Sequence, residues 1–166
     1  MDKKGRYEER KRAREAAMSL LYSIEYNRSD IAYQIESFMA DKELAEFSAE
    51  AKDFILEIAN GVVENFGNID PLIEQHARGW SFNRIAGIDI AVLRLCIYEI
   101  FYREDIPANV SINEAVNMAK KYGHDESGTF VNGILGSIYR EAVKMGTVKE
   151  DKTFKDSKTD AGVNSN

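Results

Sequence analysis

Apolar residues recur at spacings of three and four along nearly the whole chain, the period of an amphipathic helix. Segment 8–26 sets Ala13, Ala17, Leu20, Leu21 and Ile24 on one face. Segment 30–41 repeats the pattern with Ile31, Ile35, Phe38 and Met39, and segment 48–66 with Ala51, Phe54, Ile55, Ile58, Val62 and Phe66. Ser48 is placed to cap the third of these, and Asp70-Pro71 reads as a cap and first residue of a short helix ending near His76. No window alternates apolar and polar residues with β-branched enrichment, so no strand is expected.

Segment 84–102 differs, because its apolar residues lie all round. Its charges, Arg84, Asp89, Arg94 and Glu99, are spaced by five and turn about 140° from one to the next, so they cannot form one wet stripe. A helix apolar on every side is buried on every side. The pattern therefore predicts a central helix whose charges reach the surface at its ends or are held in pairs. Arg103 to Pro107 ends it, since the residue before proline disfavours helical geometry.

Two more helices follow. Ser111 and Glu114 have the spacing of a capping box, and Lys120, Lys121 and Gly123 that of a helix end, with glycine free to take positive φ. Phe130-Val-Asn-Gly133 opens the next helix, with Ser127 as its cap. Gly133 inside it costs roughly 1 kcal/mol against alanine, which close contact with a neighbouring helix or a ligand would explain. The expected fold is all-α: a single-domain bundle of about six or seven helices over residues 6–146, around the buried helix 84–102. Residues 147–166 are charged and poor in apolar side chains, and are expected to form a disordered tail.

With 166 residues, 44% of them hydrophobic and 30% charged, the chain suits one globular domain. No uncharged apolar run is long enough to span a bilayer, the N-terminus lacks a signal-peptide pattern, and the single cysteine, Cys96, excludes an intrachain disulfide. A cytoplasmic location is expected. The net charge of −6 conceals an asymmetry: residues 1–14 hold seven cations against three acids, a net +4, which leaves the remaining 152 at −10. A basic N-terminal arm on an acidic body suits an anionic partner for the arm and another for the body, with a solvated helix start as the plainer alternative.

Chemistry for catalysis is sparse. His76 and His124 lie far apart in sequence without metal-ligand partners at helical spacing, so neither a metal nor a cofactor is expected. Gly128 to Gly133 has the frame of a phosphate-binding loop, but Ile134-Leu135 stand where lysine and a hydroxyl are needed. Reading single-stranded RNA instead needs cations and stackable rings. Arg10, Arg14, Met18 and Tyr22 follow at four-residue steps as a ramp ending in a ring; Phe130 stands near free N–H groups in a first turn. Either ring could equally fill the edge of the core.

Arg84-x-x-Gly-Ile-Asp-Ile-Ala-Val-Leu-Arg94, Ile106-Pro-Ala-Asn-Val110, Ser111-Ile-Asn-Glu114 and Phe130-Val-Asn-Gly133, in this order, resemble the NusB family of transcription antitermination proteins from about Arg6 to about Tyr139. The resemblance implies a non-enzymatic, all-helical RNA-binding factor. It would recognise a boxA-type single-stranded element of ribosomal RNA transcripts with the ribosomal protein that serves as NusE, within the antitermination complex on RNA polymerase. It also implies an RNA site: arm residues Lys3, Lys4, Arg6, Arg10 and Arg14, the ring Tyr22, and Glu126, Ser127, Phe130 and Asn132. Asp89 falls on the family's NusE-contacting surface. The arm departs from the strongest cases in carrying Asp2, Glu8 and Glu9. A helical protein–protein adaptor with a basic steering arm is the alternative, and the sequence leaves monomer and homodimer open.

Overall fold

The computed structural model describes residues 1–155; these form seven α-helices and, among the described residues, no strand. The helices are α1 (Lys3–Tyr26), α2 (Ile31–Met39), α3 (Ala49–Glu64), α4 (Phe66–His76), α5 (Gly87–Tyr102), α6 (Ala108–Tyr122) and α7 (Ser127–Lys144), with short 3₁₀ turns at Lys42–Glu46 and Phe82–Arg84. The all-helical fold matches the expectation from periodicity. No helix among the described residues is long and apolar enough to cross a membrane.

Helix α5 is the axle, packed by α1, α3, α4, α6 and α7. Every residue from Asp89 to Ile100 is buried, its charged ones included. Burying an ion costs several kcal/mol unless it is paired and hydrogen-bonded, and two of the three are. Glu99, fully buried, accepts from Arg14 Nε at 2.7 Å, from Arg14 Nη2 at 3.3 Å and from the Ser111 hydroxyl at 2.5 Å. Arg94 holds Asp70 in a two-pronged bond at 2.8 and 2.9 Å, bonds Glu25 with its third nitrogen, and lies over the Phe66 ring at 4.5 Å. Asp89 is the exception, with one buried oxygen unpartnered.

Gly61 shows how closely α3 and α5 approach. A Cβ there would lie 2.3 Å from the Tyr98 ring, so the bare backbone is what admits the tyrosine.

Tertiary demands override several local signals. Ser111 and Glu114 do not cap α6, which begins earlier, at Ala108 after Pro107. Both are buried in the body of the helix, where Ser111 serves Glu99 and Glu114 accepts from the Tyr7 hydroxyl at 2.7 Å. The cap of α6 comes from far along the chain: Asp151 Oδ2 accepts from the Asn109 N–H at 2.9 Å. Asp70 is likewise drawn to Arg94, and α4 starts at Phe66, leaving Pro71 inside it. The carbonyl that proline cannot serve belongs to exposed Gly67, where water reaches it. Gly123 follows α6 as expected but at φ −92°; it is small because a Cβ would meet the Ser127 hydroxyl at 2.5 Å.

The expected disordered tail is ordered in its first part, 147–155. Its two apolar residues, Val148 and Phe154, pack against the core. The Phe154 ring meets Tyr139 edge-on at 4.7 Å, and the Asp151 N–H donates to the Tyr139 hydroxyl. The rest of that expected tail lies outside the described residues.

Two outcomes follow for urea unfolding. Gly61→Ala is expected to lose about 1–3 kcal/mol through overpacking against Tyr98. Arg14→Ala is expected to lose about 3–5 kcal/mol, because Glu99 stays buried without its counter-charge. A loss below 1 kcal/mol for Arg14→Ala would show that Glu99 can reach solvent.

Candidate nucleic-acid interface

The basic arm is not a separate extension. Asp2 accepts from the Gly5 N–H at 2.7 Å and starts α1 at Lys3, so the arm is the first three turns of a helix. Lys3, Lys4 and Arg6 are exposed on it. Arg10 is half-buried, lying 4.2 Å over the Phe54 ring and 3.2 Å from Glu50. Arg14 is buried with Glu99, so the folded protein does not offer it to a phosphate. The expected ramp from Arg10 to Tyr22 is thus interrupted by Arg14 and Met18, both buried. Glu9, seemingly a flaw in a basic arm, serves α3. It accepts from the Ser48 N–H and hydroxyl, each at 2.8 Å, while Ser48 accepts from the Ala51 N–H as its expected cap. Those bonds hold the Glu9 carboxyl below its ordinary range.

Tyr22 is half-buried, edge-on to exposed Tyr26 with ring centres 4.9 Å apart. The Tyr26 hydroxyl lies beside Gly87, one residue into α5. Around that same helix start runs a pocket of about 280 Å³. It gathers four expected site residues, Glu126, Ser127, Phe130 and Asp89, with Arg84 and Trp80. Asn132 follows half-buried on α7. Along α1, Lys3 stands roughly 28 Å from Tyr22, at 1.5 Å per residue. The expected residues therefore form two patches, a cationic one at the start of α1 and a ring-bearing one at the start of α5, joined by the length of α1.

Ser127 is the first residue of α7, not its cap. Its hydroxyl accepts from the His124 N–H at 2.9 Å and shapes the turn between α6 and α7. Trp80 was not anticipated. It is 55% exposed, and its ring meets Phe130 edge-on with centres 6.1 Å apart. Its sequence signal was modest: the chain's one tryptophan, in a polar connection between helices. Gly133 also differs from expectation. It is exposed with nothing within 4 Å of an added Cβ, so no neighbouring helix requires it.

Asp89 is 6% exposed, and its Oδ1 is buried without a hydrogen-bond partner. Burial raises its pKa, against the opposing pull of the Ser127 hydroxyl and of His124.

A helical bundle strung on one buried helix, this fold superposes on solved transcription antitermination factors. The NusB family profile matches residues 11–140, and the chain belongs to the NusB family. It is 44% identical to the transcription antitermination protein NusB of Ruminiclostridium cellulolyticum over 78% of this chain and 87% of that protein. A T. maritima NusB structure superposes with a TM-score of 0.72 at 38% identity, covering 80% of this chain and 91% of that one. A chain in the crystal structure of antitermination factors NusB and NusE in complex with dsRNA gives a TM-score of 0.72 at 25% identity, covering 81% and 98%.

Asp89 generates a pH prediction. A raised folded pKa means that the neutral acid is favoured by folding. The associated stability is present below the unfolded value of about 3.9 and is lost as pH rises through the folded value. Asp89→Asn, neutral throughout, should be more stable than the wild type by on the order of 1 kcal/mol at pH 7. In denaturant titrations the difference should shrink as pH falls toward 4. A wild type more stable than the variant at pH 7 would show that the carboxylate is well paired.

Proposed function

We propose that this chain binds a boxA-type single-stranded element of ribosomal RNA transcripts together with a NusE-type ribosomal protein, within the antitermination complex on RNA polymerase. The observation that carries the reading is the ring-bearing pocket at the start of α5, where exposed Trp80 and half-buried Phe130 stand beside Glu126 and Ser127. Bases stack on such rings without regard to sequence, and hydrogen-bonding side chains beside them supply selectivity. Lys3, Lys4 and Arg6 act as a second, electrostatic contact on the same strand. Arg14 acts through Glu99, by holding α1 against α5, and not on phosphate directly.

Asp89 fits a protein partner. A buried carboxylate oxygen left without a donor costs about 1–3 kcal/mol or more, which a donor brought by a partner would recover. A basic ribosomal protein meeting the acidic body of this chain has the right charge. The work belongs with nascent transcripts, in the cytoplasm.

A catalytic role has little support. His76 does bridge Ser137, at 2.8 Å from Nδ1, and Glu141, at 2.6 Å from Nε2. Yet Ser137 lies in the interior of α7, where backbone N–H groups are engaged in the helix and cannot form an oxyanion hole.

The test is RNA binding measured over a range of salt, with a boxA-type RNA and a scrambled one, with and without the ribosomal protein. A steep salt slope, preference for the boxA-type RNA and mutual tightening by about 5- to 150-fold are expected. Replacing Lys3, Lys4 and Arg6 with alanine should flatten the log–log slope by about two, at about 0.7 per phosphate on a single strand, while leaving the unfolding midpoint in place. Binding that ignores both salt and sequence would favour the adaptor.

A further inference from the structure

On the far side of Trp80 and Phe130 lies a larger groove, about 970 Å³, between the end of α4 and the outer face of α7. We propose that this groove takes a further stretch of the single-stranded RNA, with a base stacked on Trp80 and the backbone running past Arg78, Arg140 and Lys144. This rests on the RNA-binding reading above and extends it.

Three observations carry it. Trp80 and Phe130 line both the groove and the pocket at the start of α5, so the two adjoin at these rings and one strand passing over them reaches both. The groove's charge opposes that of the body around it. Arg78, Arg140 and Lys144 line it, and its one carboxylate, Glu141, is turned onto His76. Arg78 and Lys144, both exposed, attract a phosphate chain and repel a basic ribosomal protein, which selects RNA as the occupant. The wall at Gly133 is open: nothing lies within 4 Å of where its side chain would stand, and Gly133 lines the groove. A glycine that weakens a helix and that no packing requires leaves room for a flat base against the backbone.

The experiment compares two RNA oligonucleotides, one carrying the boxA-type element alone and one carrying it flanked on both sides by oligouridine. Trp80 is the only tryptophan, so its emission reports directly on stacking. The flanked RNA should quench that emission more strongly and bind more tightly than the bare element. The double variant Arg78→Glu/Lys144→Glu, both residues exposed, should remove this advantage and lower the log–log salt slope by about one to two, leaving affinity for the bare element unchanged. Trp80→Ala should lose affinity for the flanked RNA by roughly 5- to 150-fold, and Trp80→Phe should restore most of it. Thermal melts of each variant confirm folding. Wild type that binds neither RNA would sink the RNA-binding reading and this proposal together. Wild type that binds both equally, with the charge reversal changing neither, would overturn the groove alone. A charge reversal that spares RNA but weakens binding of the ribosomal protein would assign the groove to protein and also overturn it.

Discussion

The buried pair of Arg14 and Glu99 is the constraint around which the other parts are arranged. It joins the basic first helix to the middle of the axle, and Ser111 adds the start of α6 to the same carboxylate. Because Glu99 is wholly buried, each of its acceptor positions must be served, and the three helices are placed by that requirement. Hydrophobic contact alone would let α1 slide or rotate along α5 with little change in buried area. Directional bonds to one carboxylate set the angle at which α1 presents its outer cations. Arg94, tied to Asp70 and Glu25, does the same for α4 and for the far end of α1.

This division of labour explains why some cations face water and others do not. Along α1, residues that look alike in sequence have different tasks. Lys3, Lys4 and Arg6 are exposed, Arg10 is half-covered by Phe54, and Arg14 is consumed by the interior. Glu9, opposite in sign, holds the start of α3. The electrostatics of the surface is therefore not the electrostatics of the sequence, and a net charge counted over the arm overstates what an approaching strand meets. Asp89 shows the converse. It is an acid at a helix start, where the dipole favours it, yet one of its oxygens is left without a donor.

Helical periodicity was legible throughout, because burial of one face writes itself into spacing. The axle was legible for the same reason, including the need for its charges to be paired. What sequence could not separate was local from distant use of the same polar residue. Ser111 and Glu114 have capping-box spacing, and Asp70-Pro71 has the form of a helix start, but their side chains are claimed by Glu99, Tyr7 and Arg94. A motif three residues long carries no record of what lies across the core. The pocket was half legible: the family resemblance pointed to Glu126, Ser127 and Phe130, whereas Trp80 comes from another connection and joins them only in three dimensions. The segment 147–155 was misjudged because its two apolar residues are too few to signal order by composition. Its anchoring relies on one carboxylate and one phenol as much as on burial.

That last segment bears on how the chain is made. The donor at the start of α6 waits for a carboxylate forty-two positions downstream, at Asp151. During synthesis α6 emerges, and packs on α5, before its cap exists. The bundle can therefore collapse early, while its α6 end stays frayed until the ribosome has released Phe154 and the strap closes over Tyr139. Assembly thus finishes from the C-terminal side, and a chain cut after Lys144 would keep all seven helices with that one end unlatched.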